Sequence, residues 1–266
     1  MTLVKETPET RSWIYDVLLE EEILFPTVEG FSVRDNKVTA LFERLKSTID
    51  VEKWSEKEIS NWLEQYERKE SIARSILAST LQVPLYLVSW QDEKDKFRIL
   101  SLTIINKAKI KSRDKKLFTS CKDFAQWLGD LKGIQVSKGF VEAGRLSSID
   151  RCLRKNKVPW PGNLDGFLVS PKTGEVNVVF ELRSTRVYSV KNHNLNNYFH
   201  EDFHGWEALD ILRTQLNVPL YILTWSFKET LVKIQKLQKV TSMGLEYEWT
   251  KFLGKDHIVV WFSQFI

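Results

Sequence analysis

The chain has 266 residues, 42% of them hydrophobic and 28% charged, with a net charge of +4. That balance excludes a disordered or low-complexity chain, and the length suits two domains of roughly 130 residues better than one. No apolar run approaches the ~18 residues of a membrane helix, residues 1–11 lack the apolar stretch of a secretory signal, and Cys121 and Cys152 form no CxxC pair, so the expectation is a cytoplasmic protein with no membrane partner, disulfide framework or zinc ribbon.

The predicted elements begin with a helix over residues 9–22 and a hairpin turning at Arg34-Asp35-Asn36. A long helix over residues 56–81 and an apolar strand over 83–90 follow. In the second half, Leu146, Ile149 and Leu153 recur at helical spacing and predict a helix over 142–155, ended by Pro159 and Pro161. Residues 164–169 and 176–182 read as strands around a Ser170–Gly174 turn. An irregular stretch leads to a helix over 201–216, with Trp206, Leu209, Leu212 and Leu216 on one face. A strand over 218–225 is apolar enough to be buried on both faces. A further strand from Leu231 and a short helix from about His257 complete the chain.

The halves repeat. Leu81-Gln-Val-Pro-Leu-Tyr-Leu-Val-Ser-Trp90 and Leu216-Asn-Val-Pro-Leu-Tyr-Ile-Leu-Thr-Trp225 agree at six of ten positions. Glu29-Gly30-Phe31 answers Asp165-Gly166-Phe167, and Phe42-Glu43 answers Phe180-Glu181. Register kept over half a chain implies duplication. The expected fold is α/β, with domains at 1–133 and 134–266, each a mixed sheet flanked by helices.

Chemistry concentrates on the second hairpin. Asp165 enters its first strand, Glu181 lies on the second, and Arg183 shares the face of Glu181 by strand alternation. Two neighbouring carboxylates call for a cation, and carboxylate oxygens with water suit Mg²⁺. Asp165 followed by Glu181-Leu182-Arg183, a helix and a buried strand resembles the PD-(D/E)XK, or restriction-endonuclease-like, nuclease superfamily. The resemblance covers about residues 142–225, and the first copy follows it more faintly. It implies a Mg²⁺- or Mn²⁺-dependent DNA endonuclease with Asp165 and Glu181 as metal ligands. Arg183 stands at the family's lysine position, where a guanidinium can clamp phosphate but cannot lose its proton. Lys191 is an alternative source of that lysine, Glu142 a supporting carboxylate and His193 a phosphate contact. The first copy offers Glu29, Glu43 and Lys46, with Glu43 and Lys46 on opposite faces of a regular strand, which points to a degenerate site.

Two other features compete. His200-Glu201-Asp202-Phe203-His204 matches HExxH, the zinc metalloprotease pattern, with Glu207 or Glu229 as a third ligand. Gly205 and the polar start of a helix offer a plainer explanation. The basic run Lys107, Lys109, Lys111, Arg113, Lys115 and Lys116 could track a nucleic-acid backbone or form an exposed hairpin. The sequence therefore supports a metal-dependent endonuclease or nuclease-like subunit acting on DNA, an inactive DNA-binding or scaffold protein of the same fold, and, third, the metalloprotease. Protein partner subunits, an internal pseudo-dimer and a homodimer all remain open.

Overall fold

The structure, a computed structural model, describes residues 3–4, 12–91, 94–105, 109–133 and 147–266. In chain order the elements are strand β1 (Leu3–Val4), helix α1 (Trp13–Glu20), strands β2 (Val28–Arg34) and β3 (Lys37–Ser47), helices α2 (Glu56–Tyr66) and α3 (Arg68–Leu81), and strands β4 (Leu85–Trp90), β5 (Phe97–Ile105) and β6 (Lys109–Phe118). Helices α4 (Cys121–Lys132) and α5 (Ser148–Lys155) follow, then strands β7 (Gly162–Leu164), β8 (Gly166–Val169) and β9 (Val176–Ser184). Helix α6 (Phe203–Leu216), strands β10 (Leu220–Trp225), β11 (Leu231–Thr241) and β12 (Gly244–Gly254), and helix α7 (Lys255–Ser263) complete the order.

The chain divides into two compact units, Met1–Thr7 with Val28–Asn163 and Pro8–Thr27 with Leu164–Ile266. The first sheet runs β6-β5-β4-β3-β2-β7, with β1 beside β3; the second runs β12-β11-β10-β9-β8. Each sheet contains a parallel pair, β3 with β4 and β9 with β10, and a helix (α3 or α6) supplies the crossover. Both units are thus mixed sheets flanked by helices, with the same strand connectivity.

Local chemistry explains the matching geometry. Asp35 and Asn36 take φ of 51° and 57°, which lets a two-residue turn join β2 and β3. Gln82 and Asn217 end α3 and α6 in the left-handed region, at φ of 58° and 56°, and hand the chain to the Val-Pro that opens the buried strand. The expected helix over 56–81 is broken: Glu67 caps both α2 and α3 at φ −134°. The break frees α2 to brace the sheet edge. Glu56 and Ser60 accept hydrogen bonds from the backbone N–H groups of Asp114 and Ser112, at 2.6 and 2.9 Å, and Glu64 accepts from Ile110. Four helical residues rise about 6 Å and two strand residues about 6.8 Å, so the two periods match closely enough for three successive contacts. An edge strand's donors are thereby covered.

The units differ from the expected domains 1–133 and 134–266 because the leading helices are exchanged. Helix α1 buries Ile14, Val17 and Leu18 against Phe180, Tyr221 and Phe262 of the second unit. Helix α5 buries Ile149, Cys152 and Leu153 against Phe42, Trp90 and Phe124 of the first. Gly166 is required by this arrangement: a Cβ there would lie 2.0 Å from the ring of Phe25, on the segment after α1. Against the expectation of no disulfide, Cys121 and Cys152 are bonded, their Cα atoms 5.5 Å apart, tying α4 to α5. No helix among the described residues is long and apolar enough to cross a membrane.

Candidate functional site

Pairing of β8 with β9 sets Gly166 opposite Phe180 and so carries Asp165 alongside Glu181. Asp165 Oδ2 accepts the backbone N–H of Leu182 at 2.8 Å, while its backbone oxygen accepts from the hydroxyl of Tyr15. On β9, Arg183 Nη2 lies 2.9 Å from Glu181 Oε1 and 2.6 Å from Asp202 Oδ2. The guanidinium carbon sits 4.4 Å from the ring centroid of Trp206, on the first turns of α6. Three carboxylates therefore gather around one arginine. Burial, reinforced by Asp165 and Asp202, raises the pKa of Glu181 well above the usual carboxylate value even with Arg183 beside it. Its Oε2 is buried and has no protein hydrogen-bond partner.

The first unit repeats the cluster. Glu29 Oε2 accepts the backbone N–H of Arg44, the residue after Glu43, at 2.8 Å, as Asp165 does after Glu181. Glu67 precedes α3 as Asp202 precedes α6. The cation changes its origin: Arg74, from α3, lies 3.2 Å from Glu43 and 3.0 Å from Glu67. Burial opposes the charge of Arg74, but Glu43 and Glu67 outweigh it and raise its pKa. The side chains of Arg74 and Glu43 are each 4% exposed, against 31% for Arg183 and 45% for Asp202. A cavity of about 10 Å³ beside Arg74 holds one water at most. The first cluster is closed, and the second is open to solvent on one side.

The other sequence candidates are dispersed. Glu142 and Lys107 lie outside the described residues. Lys191 is exposed in the loop after β9, and the charges that act on Glu181 are Asp165, Arg183 and Asp202. Arg74, from α3, is a cation set against Glu43 that the sequence pattern did not offer. His193 is buried, with Nδ1 lacking a protein partner, and burial lowers its pKa. HExxH does not lie on one helix. Residues Leu195–Asp202 form a 3-10 helix and α6 starts at Phe203, so the shared face that two His at i and i+4 need is absent. His204 points to solvent, 92% exposed, beside Glu207, and Glu229 instead accepts the N–H of Val190. Among the described residues no three His, Cys, Asp or Glu side chains are arranged to hold a metal ion. Lys109, Lys111, Arg113, Lys115 and Lys116 are exposed on β6.

In the sequence Asp202 belongs to the segment just after the candidate strand, where the nuclease resemblance implies substrate contacts, and Trp206 reads as a core position. Their spacing of one helical turn, just after Glu181-Leu182-Arg183, is the signal that joins them to the cluster. Arg74 carried none, because arginine at mid-helix is ordinary.

No family model matches the chain, and no curated protein matches it. Among solved structures the crystal structure of Sex pheromone staph-cAM373 precursor is returned, at 10% identity over 95% of this chain and 84% of that one, with a TM-score of 0.18. A likeness of that size carries no statement about fold or function.

Proposed function

We propose that the chain is a nucleic-acid-binding protein built from two restriction-endonuclease-like units whose cation positions are filled by arginine. It would hold a phosphodiester backbone without metal-dependent cleavage. One observation carries this reading: in both units the carboxylates that resemble the superfamily's metal ligands are already compensated by a guanidinium from the same chain. A divalent ion would have to displace Arg183 from Glu181 and Asp202. With Arg183 in this position the side chains do not fit a resident Mg²⁺. The exposed basic strand β6 supports the backbone contact.

A second reading has its own support. Glu181 Oε2 is buried without a partner, and a Mg²⁺ or Mn²⁺ ion shared with Asp165 would satisfy it. In that case the protein is the metal-dependent DNA endonuclease, with Arg183 as a phosphate clamp. The two readings separate on incubating the protein with plasmid, linear and branched DNA and RNA, with Mg²⁺ or Mn²⁺, beside Asp165→Ala. The expected result is retention of nucleic acid with no cleavage. Replacing Lys109, Lys111 and Arg113 by Glu should cut the salt dependence of binding by roughly 2–3 in log–log slope. Cleavage abolished by Asp165→Ala would establish the endonuclease instead.

A further inference from the structure

Strand alternation divides the second sheet into two chemically different faces. Phe180, Leu182, Tyr221, Leu223, Trp225, Val232 and Ile234 point into the core under α1 and α7. The intervening residues share the other face. There β9, β10 and β11 align Arg183 with Thr224 and Thr224 with Lys233, and one step back Glu181 with Ile222 and Ile222 with Gln235. Arg183 and Thr224 sit at the C-terminal ends of the parallel pair, the end of an open α/β sheet where ligands gather.

Several polar atoms at this end have no protein partner. Arg183 Nε, Thr224 Oγ1 and His193 Nδ1 are all buried and unpaired. Such atoms are rare, because a buried polar group without a partner loses its water for nothing. Lys233 Nζ gives one hydrogen bond to the backbone oxygen of His193, at 2.8 Å, leaving two N–H groups in the same row. Arg183, Thr224 and Lys233 are all donors; Nη2 of Arg183 is ion-paired to both Glu181 and Asp202, which leaves its Nε without a protein partner. The first unit shows what closure looks like. Its counterpart of Lys233 in the strand register is Arg98, spent on both oxygens of Asp114 at 2.6 Å, on Val51 O at 2.9 Å and on Trp54 O.

Rings stand over this end of the second unit. The imidazole of His193 stacks on Tyr198 at 6.0 Å and 20°, with Tyr188 at 6.4 Å on the same loop. Tyr188 and Tyr198 are 48% and 42% exposed. The next loop, joined by the Val190 N–H to Glu229, carries Phe227, 59% exposed.

We infer that the C-terminal ends of β9 and β10 form a binding site for an unpaired nucleotide unit of a nucleic-acid strand, its phosphate on Arg183, Thr224 and Lys233 and its base on the rings of Tyr188 and Tyr198. Bases in a duplex have both faces covered, so the exposed rings select single-stranded segments. The inference rests on the nucleic-acid reading above, but it assigns the contact to the second unit, whereas β6 belongs to the first.

The test uses the full chain and fluorescence anisotropy with a short oligo(dT), a duplex of the same length, and competition by inorganic phosphate. Oligo(dT) should bind more tightly than the duplex. Tyr188→Ala with Tyr198→Ala should weaken it about tenfold or more, while Tyr198→Phe, which keeps the ring, should retain it. Lys233→Met should lower the salt slope by about one. Ultraviolet cross-linking of oligo(dT) to the unaltered protein, mapped by mass spectrometry, should label the loop 185–202 and gives an answer even if a variant fails to fold. Cross-links confined to β6, or oligo(dT) affinity unchanged in variants that melt like the parent, would overturn this site and leave the nucleic-acid reading standing. Competition by phosphate at the same affinity as oligo(dT) would reduce the site to one for a free anion. Absence of binding to any nucleic acid would remove both readings.

Discussion

The two arginine clusters differ in burial, and that difference has a measurable consequence. Replacing Arg74 by Leu leaves Glu43, 4% exposed, and Glu67, 18% exposed, without their common cation. Removing one partner from a buried ion pair costs about 3–5 kcal/mol, because the stranded charge cannot reach water. Replacing Arg183 by Leu strands Glu181 as well, but Asp202 is 45% exposed and the guanidinium it loses was 31% exposed. Solvent already screens that pair, so the cost should fall to about 1–2 kcal/mol. Native-state hydrogen exchange resolves the two units by reading β3 and β4 amides in one variant and β9 and β10 amides in the other. An Arg183→Leu loss equal to or larger than that of Arg74→Leu would refute the distinction between a closed cluster and an open one.

Three further outcomes follow from named contacts. Glu181 holds its proton more tightly when folded, because of burial and then Asp165. Its contribution is therefore present below the ordinary value of 4.5 and lost as pH rises through the raised folded value. Glu181→Gln should remove that slope and raise stability at neutral pH, as read from urea melts across a pH series, and an unchanged slope would count against it. The Cys121–Cys152 bond closes a separation of 31 residues, worth about 3–4 kcal/mol by loop entropy. Reduction, or Cys121→Ser, should lower the unfolding free energy extrapolated from urea melts by that amount, and two titratable thiols in the denatured, unreduced protein would contradict it. Ile14→Ala and Leu18→Ala should each cost about 2–5 kcal/mol, with the lost exchange protection appearing in β9, β10 and β11. Loss confined to β3, β4 and β5 would refute the helix exchange.

Much of the scaffold was legible because its signals are local. The Val-Pro strands, the Asp35-Asn36 turn and the Ser170–Gly174 turn each depend on residues adjacent in sequence. The exchange of α1 and α5 was not legible. In a tandem repeat both helices present an apolar stripe that suits either core, and periodicity records the stripe without recording its partner. The break at Glu67 was hidden for a similar reason, since neither proline nor glycine marks it and only the tertiary demand of bracing β6 sets it. Within the site, Asp165, Glu181 and Arg183 were readable from strand alternation. Asp202 and Trp206 arrive from a different element, and Thr224 and Lys233 become neighbours of Arg183 only through sheet register.

The repeat itself argues that the charge balance of the cluster is the quantity being kept. In the strand position of Arg183 the first unit has Leu45, and in the helix position of Arg74 the second has Leu209; both leucines are buried. Each unit thus packs one guanidinium and one leucine into the space beneath its crossover helix, with the two carriers interchanged. Independent drift would leave a unit with two arginines or with none, and the carboxylates would then be overcompensated or stranded. The interchange keeps volume and charge together while moving the guanidinium from a closed helix face to the solvent edge of a strand. That relocation places Arg183 in the row of Thr224 and Lys233, so the openness of the second unit follows from which element carries the cation.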